Sequence, residues 1–133
     1  MDRQLTDASL KVTKAIPAAN ANNTTDSIDL AATAPGHTTE MIDFVINVPA
    51  TPALADTKSH TLKIQDSADN SSFADVAALA TRTRTGAGGA GAAAVDYRVK
   101  LPPSIRRYVR VYQAVESAGG DSTGVSITVA LKF

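Results

Sequence analysis

Along much of this chain apolar residues fall at every second position, in short runs separated by proline, glycine and Asn/Asp turns. Val95, Tyr97, Val99 and Leu101 alternate with Asp96, Arg98 and Lys100. Val125, Ile127, Val129, Leu131 and Phe133 alternate with Ser126, Thr128, Ala130 and Lys132. A period of two predicts strands with one face buried. Within Glu40 to Val48, Ile42, Phe44, Ile46 and Val48 share a face while Met41 and Val45 make the other partly apolar, which predicts a central strand. Pro49 and Pro52 end it, since proline cannot donate to a ladder. His60 to Gln65 resumes the alternation with Leu62 and Ile64 inward, and Arg107 to Ala114 places Tyr108, Arg110 and Tyr112 opposite Val109, Val111 and Gln113.

The weaker segments read as shorter strands. Ser27 to Leu30 is brief, and Phe73 to Leu79 is rich in alanine but too short for a stable helix. Leu5 to Ile16 is an edge strand or arm that breaks at Pro17 before a polar loop, so residues 1–26 are expected to form an N-terminal arm and loop. Thr81 to Thr85 suits an extended backbone, and the Gly/Ala run that follows makes 81–94 a flexible loop. The pattern predicts a single domain over residues 1–133: all-β, an antiparallel two-sheet β-sandwich of jelly-roll type, with about eight strands and an extended N-terminal arm. An immunoglobulin-like sandwich is the second choice. No segment repeats at a fixed period, which excludes a solenoid or propeller.

Composition narrows the functions open to such a sandwich. Thirteen basic and thirteen acidic residues cancel, so no global field favours nucleic acid or an anionic membrane surface. The chain contains no cysteine, hence no disulfide framework and no thiolate chemistry, which suits a reducing cytosol. The start Met1-Asp2-Arg3-Gln4-Leu5 lacks the basic and apolar regions of a signal peptide, and no run approaches the length of a membrane span, so a soluble, unprocessed chain is expected.

Several constellations invite chemistry and lose it in context. Gly86-Ala87-Gly88-Gly89-Ala90-Gly91 fits G-x-G-x-x-G, yet a strand and not a helix follows, so a mobile hairpin loop is expected in place of a nucleotide site. Asp66, Asp69 and Asn70 crowd a loop as calcium ligands do, without the glycine and terminal glutamate of an EF-hand; a turn held by side-chain to backbone hydrogen bonds is expected. His37 and His60 each stand in or beside a turn with no second histidine at ligand spacing. No serine lies in a nucleophile motif, and the Asn22 and Asn70 sequons carry no weight without a signal peptide. Neither a catalytic site, a metal nor a cofactor is expected. Arg82 and Arg84 lie on one strand face, suited to carboxylates of another subunit or to protecting an edge from aggregation.

Taken in order, certain segments resemble the small capsid cement or decoration proteins of short-tailed bacteriophages. These are Met1-Asp2-Arg3-Gln4-Leu5, Ile28-Asp29-Leu30, Ile64 to Asp69 leading to Phe73, Leu101-Pro102-Pro103 before Arg107 to Val111, and the β-rich end. The resemblance spans nearly the whole chain; the Gly/Ala loop and the polar loop before Ser27 depart from it. It implies a jelly-roll or related sandwich on the outer capsid surface of a virion made in the bacterial cytoplasm. It also implies a homo-oligomer, dimer or trimer, near symmetry axes that bridges major capsid protein subunits, with no enzyme activity and no cofactor. The contact residues expected are Arg3 and Leu5 on the arm, Arg82 and Arg84, and Arg106, Arg107 and Tyr108, since arginine and tyrosine are enriched at binding hot spots. The rival is a carbohydrate- or receptor-binding module of a phage tail, with Tyr97, Tyr108 and Tyr112 in place of the absent tryptophan platform.

Overall fold

The structure, a computed structural model, describes residues 6–30, 43–102 and 104–132, with side chains from residue 11 onward. It is all-β, with two antiparallel sheets and ten strands among the described residues. The strands are β1 (Thr6–Ala15), β2 (Ala21–Thr24), β3 (Ile28–Asp29), β4 (Asp43–Val48), β5 (Ser59–Ser67), β6 (Ala74–Asp75), β7 (Arg82–Thr85), β8 (Val95–Lys100), β9 (Tyr108–Val115) and β10 (Ser126–Lys132). One sheet runs β1-β10-β4-β8; the other runs β2-β9-β5-β6, with β3 also on β9 and β7 also on β5.

The number expected and the number found agree once strand halves are merged. β2 and β3 both pair with β9, and β6 and β7 both pair with β5. Counting each couple as one strand leaves eight positions in the orders 1-8-3-6 and 2-7-4-5. This is a long antiparallel ribbon with pairs 1·8, 2·7, 3·6 and 4·5, rolled so that 8 meets 3 and 7 meets 4. That winding defines a jelly roll, two Greek keys in two sheets.

The period-two faces meet between the sheets. Phe44, Ile46 and Val48 of β4 and Ile127, Val129 and Leu131 of β10 are fully buried against Leu62 and Ile64 of β5 and Val109, Val111 and Val115 of β9. Burying each such side chain contributes about 1.5–3 kcal/mol, so alternation alone commits these strands to one register. β4 is central, flanked by β10 and β8. β8 ends its sheet, and its inward Val95, Tyr97 and Val99 stay half-buried.

Three expectations change. The edge strand expected within Leu5 to Ile16 is β1, registered on β10 from Lys11↔Ala130 to Ala15↔Ser126, but the stretch that follows is not the plain loop expected there. It holds a second strand, β2, on Tyr112 to Val115. The backbone ladder, the buried Thr25 hydroxyl accepting from Val111 N–H at 3.0 Å and Asn23 donating to Ala15 O at 3.0 Å hold it without apolar alternation. Second, only Ala74–Asp75 of the segment 73–79 is strand; the chain then turns, with Leu79 N–H donating to Val76 O. Third, 81–94 is no hairpin: β7 and β8 lie in different sheets, so the Gly/Ala run crosses between them. It is also tied down. Thr51 and Ala92 exchange backbone hydrogen bonds, Gly89 N–H donates to Asp56 at 2.9 Å, and Gly91, at φ +69°, lies so close to Thr51 O that a Cβ would collide with it.

Candidate interaction surface

The outer face of the six-stranded sheet is built on β9. Because Val109, Val111, Gln113 and Val115 point inward, Tyr108, Arg110 and Tyr112 must point out, and they are half-buried. Register sets their neighbours on β5: Ser67 opposite Tyr108, Gln65 opposite Arg110 and Lys63 opposite Tyr112. The Arg110 guanidinium lies 3.9 Å from the Phe73 ring centroid and donates to Gln65 Oε1 at 3.0 Å. Lys63 lies 5.9 Å from the Tyr112 ring and 3.3 Å from Asp75. A hydrogen bond from Gln65, and secondarily the Lys63 charge, holds Asp75 below the usual carboxylate range. Arg107 lies 5.0 Å over Tyr108 and reaches both carboxylate oxygens of Asp29 at 2.9 Å, a fork that keeps the guanidinium firmly protonated. Cations thus stack on aromatic rings along one rigid face.

The corner preceding β9 rests on Asp66. This residue, expected in a polar turn, is the last but one of β5 and is 7% exposed. It accepts from Arg106 N–H at 3.0 Å, Nε at 2.9 Å and Nη2 at 2.7 Å, while Asp66 O also accepts from Nη2 at 2.8 Å. Arg106 therefore braces the corner. The turn beyond it is held as expected: Asp69 accepts from Ser71 and Ser72 N–H at 2.9 and 3.0 Å and from Ser67 Oγ at 2.8 Å. Those bonds, Ser72 first, lower its pKa to about 2.

At the other end of β5 lies a buried polar knot. Arg84 is 5% exposed and donates through Nη2 to Ala93 O at 2.7 Å, Pro49 O at 3.1 Å and Ala92 O at 3.2 Å. Its Nη1 lies 3.4 Å from His60 Nδ1. A guanidinium nitrogen only donates, so Nδ1 is the acceptor and the proton sits on Nε2, which donates to Gln113 Oε1 at 2.9 Å. Gln113 in turn donates to Ala15 O. Burial, reinforced by the Arg84 charge and opposed by Gln113, lowers the His60 pKa.

The residues singled out in the sequence therefore separate. Arg107 and Tyr108 sit together on the outer face, with Arg106 behind them. Arg84 leaves the contact surface: it is buried inside the sandwich, with Nη2 on three backbone carbonyls and Nη1 on His60. Arg82 is half-buried, 5.5 Å from the Tyr97 ring. Arg3 and Leu5 lie outside the described residues, as does His37. Lys63, Phe73 and Asp29 were missed. Alternation marks Arg110 and Tyr112 as outward, but only the β5·β9 register reveals what lies beside them.

Two depressions mark the surface of the described residues. One, of about 390 Å³, is floored by Val45 and Ala130 on the outer face of the four-stranded sheet; the other, of about 370 Å³, lies beside Phe73 and Arg110. Among the described residues no three acidic or histidine side chains gather to hold a metal.

Fold and surface together define a jelly-roll sandwich whose cations and aromatic rings are ordered on a sheet face. Within that class the chain belongs to the Bbp16 family, whose pattern matches residues 11–130. Membership agrees with a phage-related structural protein. No curated protein matches the chain.

Proposed function

We propose that this protein is a structural, non-enzymatic virion component. In this reading it binds the outer surface of a phage capsid as a homo-oligomer at symmetry axes, bridges major capsid protein subunits and stabilises the mature shell. The observation that carries the reading is the ordered row Arg107, Tyr108, Arg110 and Tyr112 on a rigid sheet face, in a jelly-roll chain of the Bbp16 family. Arginine and tyrosine with little conformational freedom left to lose make efficient contact residues. A unit touching two capsomers adds its own contacts to those that must break when the capsomers part, at high effective concentration. A ligand that binds only the assembled lattice stabilises it by mass action.

The tail-module reading is weakened by the same row, since a sugar needs an open ring face. Arg107 lies over Tyr108 and Lys63 over Tyr112. Co-sedimentation with expanded capsids assembled without this protein, against unexpanded shells, tests the proposal. Saturable binding at a fixed number of copies per shell is expected; no binding to either shell overturns it.

A further inference from the structure

The depression beside Phe73 lies where an edge of one sheet meets the other. Lys14 of β1 stands opposite the buried Ile127 in the register, so its side chain takes the inward side of the four-stranded sheet at that sheet's edge. There it lines a depression of about 370 Å³ together with the 24–27 link between β2 and β3, Asn70 and Phe73 of the turn after β5, and Arg110. Ser27 Oγ–H donates to Asn70 Oδ1 at 2.5 Å and joins the link to the turn. We propose that this depression binds a carboxylate side chain, aspartate or glutamate, presented by a protein partner.

The charges of the outer face single out Arg110. Lys63, Arg106 and Arg107 each hold a carboxylate, that of Asp75, Asp66 and Asp29 respectively. Arg110 pairs with none among the described residues: the Phe73 ring lies 3.9 Å from its guanidinium, and Gln65 Oε1 accepts from Nε–H at 3.0 Å. Burial pushes its pKa down, whereas hydrogen bonds to carboxylates push those of Arg106 and Arg107 up. An opposite charge brought into contact would favour the charged form. The Nη edge, which has no described acceptor, is the fork that takes a carboxylate through two parallel hydrogen bonds. Lys14, exposed, also pairs with no described carboxylate, and Asp26 lines the same depression without an ion pair to either cation. Because Asn70 Oδ1 is the atom that accepts from Ser27, its amide N–H groups remain as further donors.

The charge of the site selects its ligand. Lys14 and Arg110 against Asp26 leave one net positive charge, which a single carboxylate neutralises; a phosphate dianion would bring excess charge towards Asp26. A lone carboxylate on partly exposed cations gains little, so the ligand is one that neighbouring contacts deliver at high effective concentration. A protein surface docked on the adjoining Tyr108–Tyr112 row delivers it in that way. This use rests on the capsid reading, in which the carboxylate belongs to a major capsid subunit; the carboxylate preference itself does not.

The first test needs no capsid. NMR titration of the purified full chain with a blocked tetraglutamate peptide should shift Arg110 Nε–H and the Asn70 side-chain amide saturably, and tetraglutamine should shift neither. Arg110→Gln should abolish the shift at Asn70, and inorganic phosphate should bind more weakly than the peptide. Silence at both groups at tens of millimolar peptide, equal shifts with tetraglutamine, or tighter binding of phosphate would overturn the proposal. On expanded shells, Arg110→Gln should weaken binding about tenfold and Lys14→Gln about threefold, while Asp26→Asn strengthens it about twofold. The Lys14 side chain makes no described hydrogen bond, so this comparison survives an Arg110 variant that fails to fold. Shell affinity unmoved by Lys14→Gln and Arg110→Gln sinks the carboxylate site alone, and a protein that binds the peptide there but ignores both kinds of shell sinks the proposed function alone.

Discussion

Arg84 and Arg106 brace opposite ends of β5, about 20 Å apart at the rise of an extended strand, and they do so in opposite ways. Arg84 is sealed inside the sandwich, and its described acceptors are neutral: three backbone carbonyls and an imidazole nitrogen. Arg106 sits at the rim on a carboxylate, with 41% of its side chain exposed. A buried cation solvated only by dipoles depends on every one of them. A rim cation paired with a carboxylate depends mainly on its partner and stays reachable by water. What an arginine does in this fold is therefore set by its acceptor, which the residue name does not reveal.

Removing Arg84 should separate the two ends most sharply. Arg84→Met strands the carbonyls of Pro49, Ala92 and Ala93 and is expected to lower unfolding free energy by about 3 kcal/mol or more. Urea titration measures this, and Arg84→Lys should recover only part, since an ammonium cannot reproduce the fork. A loss under about 1 kcal/mol would erase the contrast between the two ends.

Asp66→Ala should cost less, about 1–2 kcal/mol, because water replaces part of what the rim loses. Faster hydrogen exchange at the Arg106 amide would place the damage at the corner.

Acid should reach the buried end before the rim. The His60 pKa is lowered in the folded protein, so as pH falls the unfolded chain takes up the proton first. Stability is then full above the ordinary histidine value of 6.5 and declines below it as pH falls towards the folded pKa. Asp69, Asp75, Glu116 and Asp121, all held below their ordinary values by hydrogen bonds, lose their contribution only at lower pH. Melting curves of wild type and His60→Gln across this range test the order; identical slopes just below pH 6.5 would refute it.

The smallest effect on the fold and the clearest on binding belongs to Arg107→Ala. Its melting temperature should match wild type, while affinity for expanded shells drops about tenfold or more if the outer row makes the contact. Unchanged affinity would move the contact elsewhere.

Much of the sandwich was legible because burial follows period two. Phe44, Ile46 and Val48 of β4, Leu62 and Ile64 of β5, Val95, Tyr97 and Val99 of β8 and Ile127, Val129 and Leu131 of β10 all read as inward from alternation. β2 did not, since a short edge strand of Ala21–Thr24 held by a ladder and threonine and asparagine bonds leaves no apolar pattern. His60 and Arg84 did not either: histidine beside a turn and arginine in a Thr/Arg run look solvent-facing until β5·β7 register sets His60 against Arg84. The contact row was half legible. Tyr108, Arg110 and Tyr112 follow from alternation, whereas Asp29, Lys63 and Phe73 arrive from segments 30 or more residues away in sequence, through pairings that only the fold defines.

The rolled ribbon also orders the protein's assembly in time. Its pairs are nested, with β5·β6 innermost and β5·β7 next, then β4·β8, then β2 and β3 on β9, and β1·β10 outermost. Closing an inner pair shortens the loop that the next must close, so the entropic cost falls as the chain zips from its middle outward. The inner pairs of β5 with β6 and β7 should be protected first in pulsed hydrogen exchange during refolding, and β1 should join last and detach first.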